Sequence, residues 1–401
     1  MRTVLVLANS GSGLYDFRAG LIERLIAEGD TVICAIPDEQ CVRQLKALGA
    51  SVVRTPINRR GMNPVQDMKL YRGYRALIRR VKPDVVLTYT IKPNIYGGYA
   101  CRKEGVPYIA TITGLGSVFQ KHDKGTGAMS GFSSNTGDGS TVSGSIDTEN
   151  RSSVLQRLVT SMYRTALSDC ACLFFQNAHN RGVFDELKIP RGRTRLVAGS
   201  GVDLNRHTPE DYPGHTAEET CFLYVGRLMK EKGSVELLQA MRRLHENYPG
   251  RCILRTVGYV EEGDDATDTL SALIEEGLRE DYLEQFPYDT DIHPYYTAAD
   301  AVIMPSYHEG MSNVLMEASA TARPVLASNI PGCQEIVQDT VTGFLFPSQD
   351  ADALYHAMER FLQLPVAERR MMGRAARRKM EHDFDRTQII DAYMEEINAC
   401  T

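Results

Sequence analysis

The chain has 401 residues, 43% of them hydrophobic and 24% charged. These values suit a folded protein of two or three domains and exclude a collagen-like repeat, a largely disordered chain and a polytopic membrane protein. The net charge of −6 hides a division: residues 1–200 carry 27 Lys and Arg against 16 Asp and Glu (+11), and residues 201–401 carry 18 against 35 (−17).

The first half alternates short β-type runs with helical spacing. Strands are predicted at Thr3–Ala8, Thr31–Ile36, Ser51–Thr55, Val85–Thr88, Tyr108–Ile112, Cys172–Gln176 and Arg195–Val197. Helices are predicted at Phe17–Glu28, Gln40–Leu48, Pro64–Val81, near Asn94–Glu104, and at Val154–Leu167. The second half repeats the pattern. Its strands are Cys221–Val225, Cys252–Val257, Leu283–Phe286, Ala301–Met304, Val325–Ala327 and Phe344–Phe346. Its helices are Ser234–Asn247, Asp268–Glu276, Ile292–Ala298, Asn313–Ala322, Ala351–Leu362, Ala367–Phe384 and Arg386–Ala399. Such βαβ alternation predicts an α/β chain with parallel sheets covered on both faces. Two doubly wound domains of similar size fit the length, with a boundary near Gly199-Ser200-Gly201.

Residues 124–150 break the alternation. Six of these 27 residues are Gly, six Ser and four Thr, so the segment supplies no core. It reads as a flexible Gly/Ser/Thr-rich loop, either a plain insertion or a mobile acceptor-side lid.

The nine Cys form no CxxC pair and mostly sit in apolar runs, as expected for buried reduced thiols. The apolar run at Met1–Ala8 meets a Gly turn too soon to be a signal segment. No run approaches about 18 apolar residues, so no transmembrane helix is expected. Together these features predict a cytoplasmic protein. The nine His form no HxxxH or HExxH pair, and no zinc site is expected.

Three stretches carry residues suited to chemistry. Asn9-Ser10-Gly11-Ser12-Gly13 follows the first strand, where Gly11 and Gly13 would let backbone amides approach a phosphate. Asp16 stands where a dinucleotide fingerprint places its third Gly, which disfavours an oxidoreductase. Gly226-Arg227 follows the first strand of the second half, and Lys230-Glu231-Lys232-Gly233 comes next. Arg227 offers a fork for two oxygens and Lys232 a point charge, an arrangement suited to a diphosphate. Ser306–Glu317 follows the strand at Ala301–Met304. Glu309 lies in the loop at the strand's carboxyl end, Gly310 permits a close turn, and Ser312 is an N-cap that leaves amides near Met311–Val314 facing a ligand crevice. Glu317 lies further along the helix, so the two carboxylates reach different hydroxyls of one elongated ligand. Asp289-Thr290-Asp291 reads as a turn with Asp291 as a cap rather than a metal motif. His308, next to Glu309, reads as a neighbour-facing loop residue.

Gly226-Arg227, Glu231-Lys232-Gly233, the E-x7-E pair Glu309 and Glu317, Ala322-Arg323-Pro324-Val325 and Pro331-Gly332 together resemble glycosyltransferase family 4. Its members are retaining sugar-nucleotide transferases of the GT-B fold. Tyr89–Gly97 and Thr113-Gly114-Leu115-Gly116 resemble a bacterial subgroup that extends polyprenyl-diphosphate-linked sugars in capsule, O-antigen or protein-glycan assembly.

The resemblance implies two Rossmann-like domains facing a central cleft. An acceptor-side domain would span 1–199 and a donor domain 200–384. Residues 385–401 would be a C-terminal helix packing back on the first domain. Arg227 and Lys232 would hold the donor diphosphate, Glu309 the sugar hydroxyls and Glu317 the ribose. The backbone of Gly310, Met311, Ser312 and Asn313 would line the sugar and diphosphate, and Gly11 and Gly13 would close over the phosphates. Gly226 opens the donor loop, and Gly258 and Tyr288 would border the base.

The partners implied are a nucleotide-sugar donor, with UDP as the nucleotide, and a lipid-linked acceptor. No cofactor and no metal are implied, and no nucleic-acid motif accompanies the basic half. That half, with Arg157 and Arg164 on the 154–167 helix, suits peripheral contact with an anionic membrane at its cytoplasmic face. Thr113-Gly114 stands where many members have His, so the role of that His does not carry over, and Tyr288 stands where many have Gly, a departure in the loop that would contact the base. The residues leave open a GT-B epimerase or phosphorylase, or a two-domain ligand-binding protein.

Overall fold

The computed structural model describes residues 1–58, 63–115, 119, 145–213 and 219–401. The chain divides into two compact units, Met1–Val197 with Ala392–Thr401, and Ala198–Asp391.

The first unit is built on seven parallel strands: β1 (Thr3–Leu7), β2 (Thr31–Ile36), β3 (Ser51–Arg54), β4 (Val85–Tyr89), β5 (Tyr108–Ile112), β6 (Cys172–Phe175) and β7 (Thr194–Leu196). Their order is β3-β2-β1-β4-β5-β6-β7. The crossover helices are α1 (Gly11–Ala27), α2 (Val42–Ala47), α3 (Pro64–Val81), α4 (Gly98–Glu104), α5 (Ser145–Ala166) and α6 (Ala178–Glu186). β4 and β5 are buried along their whole length. Such strands read as continuous apolar runs because helices cover both faces of the sheet.

The second unit has six parallel strands: β8 (Thr220–Val225), β9 (Cys252–Val257), β10 (Leu283–Phe286), β11 (Ala301–Met304), β12 (Val325–Ser328) and β13 (Gly343–Phe346), in the order β10-β9-β8-β11-β12-β13. Its helices are α7 (Ser234–Asn247), α8 (Thr267–Arg279), α9 (His293–Ala298), α10 (Asn313–Ala320), α11 (Ala351–Gln363) and α12 (Val366–Asp383). Successive strand residues feed opposite faces. Phe222 packs with Leu237, Met241, Leu354 and Phe361, whereas Leu223 packs with Leu315, Met316 and Met380.

Most strand bounds fall within a residue of those predicted, and four elements differ. α1 starts at Gly11 rather than Phe17, because Ser10 caps it by accepting from the Gly13 amide at 3.2 Å. The helix predicted near Asn94–Glu104 is a π-helical stretch, Pro93–Gly97, running into α4. α6 was not predicted, although Asn177 caps it through the Asn180 amide at 2.7 Å. Of the predicted loop 124–150, residues 124–144 lie outside the described residues, and 145–150 are helical in α5.

Against the expected 1–199, 200–384 and 385–401, Ala198 and Gly199 sit in the second unit. Gly199 (φ 63°) lies so close to Met311 that a Cβ would fall 2.6 Å from its Cγ, and a Cβ on Gly201 (φ 65°) would fall 2.6 Å from the Arg386 Cα. α13 (Arg386–Cys400) begins in the second unit, and its residues from Ala392 on belong to the first. There Tyr393 stacks on Phe174 at 4.2 Å and shares a 2.8 Å hydrogen bond with the Thr111 hydroxyl. Glu396 pairs with Arg193 at 2.9 Å and Arg195 at 3.1 Å.

All nine cysteines are free thiols, and seven are buried. Burial pushes Cys34 up to about 12, so it stays a neutral thiol.

Arg323 is fully buried and donates to the carbonyls of Tyr296 (2.9 Å), Thr297 (2.8 Å), Asp211 (2.9 Å) and Glu210 (3.1 Å). One guanidinium thus ties the incoming 210–211 segment to the end of α9. Truncation strips several buried carbonyls of their donor at once. Arg323→Ala is expected to cost about 3 kcal/mol or more. The chain has no Trp, so urea unfolding followed by circular dichroism is the measurement. A loss below about 1 kcal/mol would contradict this role.

Candidate active site

In the second sheet the strand order reverses between β8 and β11, which pair in parallel. Open parallel sheets take ligands outside the carboxyl ends of such a strand pair. The segments that leave these two ends are Gly226–Gly233 and Pro305–Ser312.

Close backbone contacts shape both segments. Gly226 (φ 147°) donates to the Val257 carbonyl at 3.0 Å, and Gly258 (φ 148°) to Phe286 at 3.0 Å. A Cβ on Gly258 would lie 2.0 Å from the Gly226 oxygen, so that strand end has no room for a side chain, whereas Gly226 is held to glycine by its φ alone. After a 3-10 turn at Lys230–Lys232, Gly233 (φ 67°) presses on Pro305, where a Cβ would fall 2.1 Å from the carbonyl oxygen. The Tyr307 amide donates to the Glu231 carbonyl at 2.9 Å. These contacts bring Lys232 Nζ to 2.6 Å from Glu309 Oε1, with both side chains largely buried. Arg227 pairs with Glu261 at 3.0 Å and keeps much of its guanidinium exposed.

The left-handed glycine of the Glu309 turn is Gly332 (φ 87°), rather than Gly310 as the spacing had implied. A Cβ on Gly332 would meet the Glu309 oxygen at 2.7 Å and the Gly310 oxygen at 2.9 Å. Gly332 accepts from the Ser312 amide at 3.1 Å, and its own amide donates to Glu335 at 2.7 Å. The Pro331-Gly332 pair is therefore a floor under the loop. Ser312 is the N-cap of α10, its hydroxyl accepting from Leu315 at 3.4 Å. Asn313 and Val314 open the helix, so their amides lack helical partners. Met311 is buried under Gly199, which leaves its backbone as the part able to meet a ligand. The Ser200 hydroxyl holds the Asn313 carboxamide at 2.7 Å.

Glu317 accepts from the fully buried Tyr296 hydroxyl at 2.9 Å, and His207 Nε2 lies 4.0 Å away. Burial, with Glu317 beside it, pushes the Tyr296 hydroxyl well above its ordinary value. Burial, then Arg206, His293 and Arg386, lowers His207 to about 4. Tyr288 is exposed beyond β10, and Phe286 packs edge-on against Tyr295 at 5.4 Å. His308 is exposed.

Asp291 does not cap α9. Ile292 holds that position, and Asp289 instead accepts from the Asp291 amide at 2.9 Å. Among the described residues no group of three or more His, Cys, Asp or Glu is placed to hold a metal ion.

Gly11 and Gly13 lie in the other unit, in the first turn of α1. Their amides are already engaged, Gly11 by Asp38 at 3.0 Å and Gly13 by Ser10. A Cβ on Gly11 would fall 2.1 Å from the Gln40 oxygen, so packing against the α2 approach by itself requires glycine there. In the Tyr89–Gly97 motif, Asn94 accepts from Thr88 (2.7 Å) and donates to the Thr111 carbonyl (2.9 Å), tying β4 to β5.

Sequence reasoning missed Tyr296, His207 and Ser200. Each meets its partner across 21 or more residues, and no local spacing signals such contacts. Of the basic residues that give the first half its positive balance, Arg59, Arg60, Lys121 and Lys124 lie outside the described residues.

Two family profiles match the chain: "Glycosyl transferase 4-like" over residues 3–134 and "Glycosyl transferases group 1" over residues 210–379. A Campylobacter jejuni N,N'-diacetylbacillosaminyl-diphospho-undecaprenol alpha-1,3-N-acetylgalactosaminyltransferase is 20% identical over 384 residues, covering 94% of each chain. An Escherichia coli UDP-Gal:alpha-D-GlcNAc-diphosphoundecaprenol alpha-1,3-galactosyltransferase is 23% identical, covering 83% of this chain and 79% of its own. Among solved structures, sucrose-phosphate synthase from Thermosynechococcus elongatus superposes with a TM-score of 0.77 at 20% identity, covering all of both chains. Anabaena HepE in complex with UDP and glucose does so with 0.73 at 16%, again covering both chains in full. These likenesses establish the GT-B fold.

The His207 shift sets a pH window. The unfolded imidazole takes its proton near 6.5, and the folded one near 4. The unfolded state therefore binds more protons between these values, and stability is lost as pH falls through that window. His207→Gln removes this contribution. Thermal midpoints should show the variant gaining on the wild type between pH 7 and pH 4.5. A pH-independent difference would contradict the assignment.

Proposed function

The chain belongs to the glycosyltransferases, joining a glycosyl transferase 4-like part to a group 1 part, and from that premise we propose that it moves a sugar from a UDP-sugar to a polyprenyl-diphosphate-linked sugar, with retention, in bacterial glycan assembly. The observation that carries this reading is the Lys232–Glu309 pair, held at the point where the strand order of the second sheet reverses. The names of the C. jejuni and E. coli relatives supply the acceptor class, and the UDP complex of the Anabaena neighbour supports the nucleotide.

In this proposal Arg227 and Lys232 take the donor diphosphate, and the first-turn amides of α10 add partial positive charge. Lys232 and Arg227 are each paired with a carboxylate before the donor arrives. When the diphosphate binds, it competes for both cations, and the Glu309 carboxylate turns to the sugar hydroxyls. Glu317, oriented by Tyr296, accepts from the ribose hydroxyls. Gly226 and Gly258 keep the floor beneath the nucleotide free of side chains, and Tyr288 lies beside the base.

The sugar–phosphate bond breaks with oxocarbenium character at the sugar. The departing diphosphate carries the negative charge and takes the proton of the acceptor hydroxyl that attacks the same face. No separate protein base enters this scheme. The acceptor's lipid anchor calls for contact with an anionic bilayer through the basic first unit. No helix among the described residues is long and apolar enough to cross a membrane.

A panel of sugar nucleotides with polyprenyl-diphosphate acceptors, read by mass spectrometry, tests the activity, and the anomeric configuration of the product by NMR tests retention. Isomerised donor without acceptor, or a requirement for inorganic phosphate, would overturn the reading in favour of an epimerase or a phosphorylase. Glu309→Ala is expected to lower transfer by about 100-fold, as loss of charge-assisted hydrogen bonds implies. Lys232→Ala should chiefly raise the donor KM. Near-normal transfer by Glu309→Ala would refute its role. Flotation with anionic liposomes, compared with neutral ones, tests the membrane contact.

A further inference from the structure

In a parallel βαβ unit the crossover helix runs antiparallel to its strands, so it starts at the carboxyl edge of the sheet. α3, the π-helical stretch and α5 all follow strands of the first sheet in this way. Pro64–Tyr71 and Pro93–Gly97 therefore lie near the edge where open sheets take ligands. Running down between α3 and α4 is a groove of about 590 Å³, lined by Pro64, Met68, Tyr71, Tyr96, Tyr99 and Lys103.

The walls are held in place. Asp67, the acid in this groove, is engaged by Lys92 at 2.5 Å and by the Tyr96 hydroxyl at 2.9 Å. Tyr96 meets Tyr99 edge-on at 6.4 Å, and the Tyr99 hydroxyl donates to the Met162 carbonyl at 3.1 Å. Arg75 lies 5.6 Å from the Tyr71 ring and is itself fixed by Glu104 at 2.6 Å. With the polar ends of Tyr96 and Tyr99 tied to protein partners, the slot offers mainly ring faces and a thioether.

The surface around it also exposes apolar side chains. Val65 is 73% exposed and Met68 48%. Exposed Lys69 and Arg72 continue the same helical face. α5 packs on the same π-helical stretch. It repeats the pattern, with Val154 62% and Leu158 57% exposed and Arg157 exposed between them. Among the described side chains of α3 and α5, Asp67 is the one acidic group. An apolar slot flanked by the exposed cations Lys69, Arg72 and Arg157, with its one lining acid, Asp67, already paired to Lys92, matches a hydrocarbon chain joined to phosphates.

We propose that this groove binds the isoprenoid chain of the lipid-linked acceptor. Methyl branches pack on Met68, Tyr71 and Tyr96, and the exposed cations favour the diphosphate end. The inference rests on the acceptor reading given above, yet it is separable from it by experiment.

The full-length protein is photolabelled with a benzophenone-bearing farnesyl diphosphate, and the labelled peptides are mapped by mass spectrometry. Label is expected within 64–72 and 96–103, displaced by geranylgeranyl diphosphate. Met68→Glu and Tyr71→Ala, made separately and checked for an unchanged thermal midpoint, should each cut labelling about tenfold, as expected for losing part of an apolar contact. Both should also erase the preference for long-chain over short-chain acceptors while leaving the donor KM unchanged. Label confined to other peptides, or labelling indifferent to both variants, would overturn the proposal. So would variants that lose liposome flotation yet label normally, since the face would then be a bilayer contact. Labelling without sugar transfer would instead count against the acceptor reading and leave the groove standing.

Discussion

The second unit of this protein depends on one steric constraint: backbone meets backbone where the strand order reverses. β8 and β11 lie side by side, and the loops that leave their carboxyl ends meet through glycines. Gly233 lies on the Pro305 carbonyl, Gly258 on Gly226, and Gly332 on Glu309 and Gly310. In each case a single added carbon would sit 2.0–2.7 Å from a carbonyl oxygen. A carbonyl oxygen in a packed loop cannot give way as a flexible side chain can. The separation of Lys232 and Glu309, 77 residues apart in the chain, follows from these contacts.

Electrostatics then decides what those contacts hold. The second half of the chain is strongly acidic, and a cluster of cations within it attracts carboxylates before any ligand arrives. Arg227 and Lys232 are each paired, to Glu261 and Glu309. For Lys232 and Glu309, the more buried of the two pairs, mutual attraction offsets part of the cost of losing hydration. Behind Glu317 the support is of another kind. Tyr296 donates a hydroxyl, and His207 remains neutral because burial penalises its charged form and the neighbouring Arg206, His293 and Arg386 add to that penalty.

Much of this was legible in the sequence. The parallel α/β class followed from the alternation of apolar runs with helical spacing, and Pro64–Val81, Tyr108–Ile112, Ser234–Asn247 and Ala301–Met304 have the bounds that the spacing predicts. Ser312 was legible as a cap because capping is local. Three things were obscured. α6 carries only weak amphipathic spacing after Asn177. The early start of α1 was hidden because Gly11-Ser12-Gly13 reads as a turn, yet the Ser10 hydroxyl makes it a first helical turn. Asp289 rather than Asp291 makes the local turn bond, a choice between two equivalent side chains that backbone geometry settles.

The sequence by itself determined the order of the elements, the two motifs at strand ends and the division of charge between the halves. All three are read from residues adjacent in the chain, where backbone periodicity and composition act. Only the tertiary structure decided which side chains meet. It set Lys232 against Glu309 and Tyr296 against Glu317. It placed Ser200, which spacing marks only as part of a boundary, on Asn313, and it closed α3 and α4 around a groove of tyrosines. Those pairings depend on sheet order and on how closely backbones approach, and chain-distant contacts of that kind leave no periodic trace.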